Sequence, residues 1–132
     1  MSKIKLTVVQ PFQTKIKGDF DHIIIPGVDG DFGIDSGHTP FITKIRPGNL
    51  KLYLGRNIEK YAIHDGFVTV ENDQVTIVCE IMERDNEINA KRAQESKERA
   101  EKRLKSSSEE IDFRRAEIAL KKALVRLGIV KN

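Results

Sequence analysis

Between Glu87 and Gly128 the positive side chains are spaced as a pair of helices would need in order to gather them. Ala90, Ala93, Lys97, Ala100 and Leu104 recur at alternating spacings of three and four, and so do Phe113, Ala116, Leu120, Ala123 and Leu127. Such rows are seams along which two helices pack. The residue just before each seam position lies about 100° around the helix. These flanks are Asn89, Arg92, Ser96, Arg99 and Arg103 on the first row, and Asp112, Arg115, Ala119, Lys122 and Arg126 on the second. When one helix folds back antiparallel on the other, both preceding flanks stay on one side of the pair. One face then collects Arg92, Arg99, Arg103, Arg115, Lys122 and Arg126 against Asp112 alone, while the following flank is near charge balance.

With a turn centred near Ser107, Arg92 lies across from Lys122, Arg99 across from Arg115, and Arg126 beside Asn89. Cations so crowded repel, and a polyanion whose phosphate oxygens match guanidinium forks relieves the repulsion. The plainer reading is a solvated basic face without a ligand, because exposed charges gain little from their neighbours. The seams are mostly alanine and include Lys97, whereas a fully buried leucine contributes about 1.5–3 kcal/mol. The hairpin is therefore expected to be marginal, and a ligand held only by its closed form would bias it.

Other chemistry is thin. The stretch "IIIPGVDGDFGIDSGHTP" is rich in glycine but lacks the Gly-Lys-Ser/Thr ending of a phosphate loop and a following helix signal, so it reads as strand connections. His38 has no second ligand at metal spacing, and His22 and His64 sit at strand ends without a visible partner. Cys79 alternates as a core residue. No nucleophile, base and orienting group assemble, and the chain reads as non-catalytic, without a metal or a required cofactor.

These residues need elements to position them. Up to about residue 83 the period is two: Leu50, Leu52 and Leu54 alternate with Lys51 and Tyr53, and Val75, Ile77 and Cys79 with Thr76 and Val78. Turn signals recur at Gly18-Asp19, Pro26-Gly27, Asp29-Gly30, Pro47-Gly48, Leu54-Gly55, Asp65-Gly66 and Asn72-Asp73. Many short strands at this spacing predict a sandwich or flattened barrel. After Arg84, glycine and proline vanish until Gly128. Asp85 or Asn86 is the expected cap of a helix over 87–105, and Ser107 with Glu110 has capping-box spacing for a second helix stopping at Gly128. The expected fold is α+β: an N-terminal antiparallel β-sandwich over 1–84, then a C-terminal antiparallel two-helix hairpin over 85–132.

The chain has 132 residues, and its 23 lysines and arginines nearly balance 20 acidic residues, so net charge gives little support to nucleic-acid binding. One cysteine excludes an internal disulfide. No apolar run reaches membrane-span length, and "MSKIKLTVVQPF" lacks the apolar core of a signal peptide, which gives the expectation of a soluble, cytosolic chain able to serve at a membrane within a larger assembly.

At this point the residues resemble the epsilon subunit of the bacterial F-type ATP synthase. "IIIPGVDGDFGIDSGHTPFITKIRPGNLKL" is similar to that family's glycine-rich run with a glycine-histidine-x-proline and a proline-glycine turn. "HDGFVTVENDQVTIVCE" is similar to its next hairpin, and "IDFRRAEIALKKALVRL" to its second C-terminal helix. The resemblance implies a ten-stranded sandwich with two helices, forming a central-stalk subunit. It further implies that the sandwich binds the gamma subunit and the ring of c subunits at the cytoplasmic face of the bacterial membrane, coupling proton transport to ATP synthesis. The helices, when extended, would meet the alpha and beta subunits and oppose ATP hydrolysis, and when folded would bind a regulatory ATP. The family's nucleotide motif falls on Ile88, Asn89, Arg92 and Ala93, its supporting glutamate on Glu83, and its cationic contacts on Arg99, Arg115, Lys122 and Arg126. Asn89 stands where an aspartate is usual and Lys122 where an arginine is common; an amide cannot hold Arg92 by charge, and lysine cannot fork around two oxygens. Asp35 and Ser36 likewise replace an apolar residue and a proline.

A different class remains open from the residues alone, a nucleic-acid-binding module using the basic face, although that face lacks aromatic stacking groups. A sandwich enzyme is disfavoured by the missing catalytic constellation.

Overall fold

The structure is a computed structural model that describes residues 3–38, 40–106 and 109–131. The chain divides into two compact units, Met1–Met82 and Glu83–Asn132.

In the first unit the alternating segments form strands β1 (Ile4–Gln10), β2 (Gln13–Phe20), β3 (His22–Gly27), β4 (Gly30–Ile34), β5 (Phe41–Ile45), β6 (Gly48–Leu54), β7 (Asn57–Glu71) and β8 (Gln74–Glu83). Hydrogen bonding orders them β2-β1-β8-β7-β5-β3-β4, with β6 joined to β3 and β7. Strand β7 serves both layers. Its first half pairs with β6, from Gly48↔Ile63 to Leu54↔Asn57, and its second half with β5, from Phe41↔Val70 to Ile45↔Gly66. The change of partner falls at Asp65-Gly66, where Asp65 takes φ 60°. A Cβ on Gly66 would run into the Val78 carbonyl oxygen, so only glycine lets β7 and β8 approach so closely.

The inward positions make one core. Ile4, Leu6, Val8, Val68, Val70, Val75, Ile77 and Cys79 meet Ile23, Ile25, Ile34, Leu50, Leu52, Tyr61 and Ile63 in a single buried cluster. The expected sandwich is present, with three corrections. Among the described residues there are eight strands instead of ten; at Asp65-Gly66 one long strand is kinked where a turn was expected, which accounts for one of the two. Strand β1 lies parallel to β8, Lys5↔Gln74 through Val9↔Val78, within a sheet otherwise antiparallel in its registered pairs. Period-two alternation is the same for either direction, so direction is invisible in it. His64 is fully buried inside β7 rather than at a strand end.

In the second unit a 3₁₀ turn over Asp85–Glu87 precedes α1 (Ala90–Ser106) and α2 (Glu110–Lys131). The first helix starts later than expected. Asn89 Oδ1 accepts the Arg92 backbone N–H at 3.1 Å, so Asn89 is the cap, while Asp85 Oδ1 accepts only the Asn86 N–H at 2.8 Å. The capping role expected of Ser107 lies outside the described residues. The second helix does not stop at Gly128 but continues through buried Ile129, whose burial outweighs the roughly 1 kcal/mol that a mid-helix glycine costs.

The hairpin seam is an alanine seam. Ala93 and Ala100 on α1 and Ala116 and Ala123 on α2 are buried, with Lys97, Leu104, Leu120 and Leu127 partly so. Alanines one heptad apart on both helices let the backbones come close, at the expense of the area that leucines would have buried. The two outer positions assigned to the seam, Ala90 and Phe113, are exposed.

Candidate functional site

The residue types before the seam come together in the second unit around an open hollow of about 390 Å³. Its lining includes Glu83, Ile88, Asn89, Arg92, Ala93, Arg99 and Arg126. Helical spacing explains the α1 share: Asn89, Arg92, Ser96 and Arg99 follow at three or four residues and share a face. Arg126 arrives from α2. The 3₁₀ turn brings Ile88 to the rim, held where the Glu87 N–H bonds Arg84 O at 3.0 Å and the Ile88 N–H bonds Asp85 O at 3.3 Å.

Arg126 does not face the hollow as a bare cation. Its Nε donates to Glu83 Oε1 at 2.7 Å, and both side chains are about three-quarters buried. Glu87 and Glu95 also line the hollow. Neither stands before a seam position; Glu95, three residues after Arg92 and four before Arg99, is legible in the sequence by the same spacing. The hollow therefore sets Arg92, Arg99 and Arg126 among three carboxylates, a more balanced field than a purely basic face.

Two expected members are elsewhere. Arg115 lines a second hollow with Arg103, Ser106, Asp112 and Ala116. Lys122 lines neither of these two hollows. α1 runs to Ser106 and α2 starts at Glu110, and Arg115 lies in the first turns of α2, near the last turn of α1 that carries Arg103. Arg115 shares its hollow with Arg103, while Arg99 shares the other with Arg126.

Residues 3–85 match the family model described as the ATP synthase delta/epsilon chain, beta-sandwich domain, and residues 86–131 match its long alpha-helix domain. The chain belongs to the ATP synthase delta/epsilon family. Its relatives in that family include the ATP synthase epsilon chain of Alkaliphilus metalliredigens, 40% identical over 131 residues and covering 99% of this chain and 98% of the relative. The epsilon chain of Desulforamulus reducens is 37% identical over 123 residues, 93% of each chain. Among solved structures, a chain of the Euglena gracilis mitochondrial ATP synthase OSCP/F1/c-ring assembly superposes with TM-score 0.86 at 23% identity, covering 98% of this chain and 82% of that one, a likeness of fold.

Delta/epsilon membership accounts for the division into a sandwich and a helical pair. Among the described residues no group of His, Cys, Asp and Glu is placed to hold a metal, and no helix is long and apolar enough to cross a membrane. His22, for which no partner was visible in the sequence, bonds Asp35 Oδ1 through Nδ1 at 2.6 Å. His38 donates its backbone N–H to Asp35 O at 3.3 Å and packs its ring 5.0 Å from Phe41.

Proposed function

We propose that this delta/epsilon-family chain is a non-catalytic rotor subunit of a proton-translocating F-type ATP synthase, peripheral to the cytoplasmic face of a bacterial membrane. In this reading the sandwich docks on the gamma subunit and the c ring, and the helical hairpin restrains ATP hydrolysis under the control of bound ATP. The observation that carries the regulatory part is the hollow joining Arg92, Arg99 and Arg126 to Ile88, Asn89 and Ala93.

The residues present fit a nucleotide. A volume near 390 Å³ lies within the range of small-molecule sites. Arg92, Arg99 and Arg126 would meet phosphate oxygens, and Ile88 and Ala93 offer apolar surface to a base. Asn89 spends Oδ1 on capping α1, which leaves its amide N–H groups to face base or ribose. Glu83 would orient Arg126. Arg126 joins Arg92 and Arg99 only while the helices are together, so a polyanion held by all three favours the closed hairpin by mass action.

Docking on gamma is supported by an exposed apolar row on adjoining strands: Ile42 of β5, Phe67 of β7 and Val78 of β8, exposed by 69%, 50% and 49%. Outward apolar groups grouped in this way mark a protein-contact surface.

Calorimetry of ATP binding tests the site. Arg92→Ala is expected to abolish binding, whereas Arg114→Ala, which removes only the exposed pair with Glu110, leaves affinity unchanged. Retained affinity in Arg92→Ala rules out the site. Truncation after Arg84 is expected to raise hydrolysis by the assembled complex, and equal rates would remove the inhibitory role.

A further inference from the structure

Six charged side chains line the hollow of the helical unit, Arg92, Arg99 and Arg126 against Glu83, Glu87 and Glu95. Two of the three carboxylates are engaged. Glu83 Oε1 accepts the Arg126 Nε–H at 2.7 Å, and Glu87 Oε1 accepts the Arg84 backbone N–H at 3.0 Å. Glu95 is different. It stands three residues after Arg92 and four before Arg99, a spacing that makes both arginines its neighbours on the surface of α1. The same four-residue spacing on α2 gives ion pairs between Glu110 and Arg114 and between Glu117 and Lys121. Yet among the described residues the Glu95 carboxylate forms neither a hydrogen bond nor an ion pair, and nor do the guanidinium groups of Arg92 and Arg99.

A carboxylate set between two guanidinium groups without bonding either acts through its field. It lowers the positive potential that Arg92 and Arg99 offer to a polyanion, and it stands beside any phosphates those arginines hold. Glu95 is exposed, so solvent weakens this repulsion without abolishing it. A site weakened in this way stays partly empty until its ligand is abundant, because occupancy follows the ratio of ligand to Kd.

We propose that Glu95 is an affinity-setting residue of the hollow, whose carboxylate opposes the phosphates of a bound nucleoside triphosphate and holds the site to weak binding. The hairpin then closes on nucleotide only when nucleotide is plentiful. This inference rests on the nucleotide reading above.

Calorimetry of ATP binding to the full chain, with wild type beside Glu95→Gln and Glu98→Gln, provides the test. Glutamine keeps the length and the helix propensity of glutamate and removes its charge. Glu98 carries the same charge on α1 but does not line the hollow, and its Oε1 accepts the Gln94 amide at 3.2 Å. Glu95→Gln is expected to bind ATP roughly fivefold more tightly than wild type, as removal of one charge beside the phosphates of a solvated site implies. The gain shrinks as salt is raised, because an exposed charge is screened. Glu98→Gln is expected to change affinity much less. Unchanged or weaker binding by Glu95→Gln overturns the proposal and leaves the nucleotide site standing. An equal gain in both variants, or a gain that salt does not reduce, assigns the effect to net charge or to the helix and overturns it too. If neither wild type nor Glu95→Gln binds ATP, the nucleotide reading fails and this role of Glu95 fails with it.

Discussion

Arg126 of α2 donates from Nε to Glu83 Oε1 at 2.7 Å, fastening the far end of the hairpin to the residue where the helical unit begins. The alanine seam buries little area, so this pair carries a larger share of closure than an ion pair usually does. Exposed pairs contribute about 0–1 kcal/mol, and breaking fully buried ones costs about 3–5. With 25% and 27% exposure, a coupling of about 1–2 kcal/mol is expected here. A double-mutant cycle of Glu83→Gln and Arg126→Gln, read by amide protection in α2, measures it. Additive single effects would show that the pair holds nothing.

Asn89 caps α1, so its substitution acts on the helix before it acts on any ligand. Asn89→Ala is expected to cost about 1 kcal/mol and to fray the turn through Arg92. Asn89→Asp keeps an acceptor for the Arg92 N–H and places a negative charge at the positive end of the helix, worth about 0.3–1 kcal/mol. Amide exchange at Arg92 and Ala93 distinguishes the two. Equal protection in all three proteins would falsify the cap.

The seam tolerates no bulk. Ala100→Leu adds a branched side chain at a position 2% exposed, and overpacking of this kind costs about 1–3 kcal/mol. The helices are expected to separate before they unwind. Far-UV circular dichroism would then change little while protection along α1 and α2 falls together.

Two glycines should respond in opposite directions. Gly128 is helical and has open space where a Cβ would stand, so Gly128→Ala is expected to stabilise α2 by about 1 kcal/mol. At Gly66 the Val78 carbonyl oxygen occupies that space, and Gly66→Ala is expected to destabilise the sandwich by about 2–3 kcal/mol. Thermal denaturation of the two variants settles both signs.

Burial pushes the Cys79 thiol up to about 11. An unfolded chain ionises this thiol near its ordinary value of about 8.5. The folded chain keeps the proton that the unfolded chain sheds, so the thiol's stabilising effect is full below that value and is lost as pH rises toward 11. Cys79→Ala is expected to flatten this alkaline loss. At neutral pH the buried thiol should resist alkylation until the sandwich unfolds, and rapid labelling of native protein would contradict the burial.

Much of this was legible in the residues. Leu50 and Leu52, and Val75, Ile77 and Cys79, alternate in the chain and are buried in the core. The seam alanines at 93, 100, 116 and 123 are the buried ones, and Arg92, Arg99 and Arg126 share a hollow as their position before the seam requires. These features depend on the period of a single strand or helix, which the sequence states directly.

What lay outside that period was decided in three dimensions. Whether β1 runs parallel or antiparallel to β8 depends on which sheet edge is open, and whether Asp65-Gly66 turns the chain or only kinks β7 depends on the strands on either side. Asn89 rather than Asp85 caps α1 because the 3₁₀ turn delays the helix, and Arg115 lines a hollow with Arg103 rather than with Arg99. The sequence by itself determined which side chains share a face, since backbone geometry repeats every two or 3.6 residues. Only the tertiary structure decided which faces meet, in what register, and that Glu83 holds Arg126, because those depend on contacts between residues far apart in the chain.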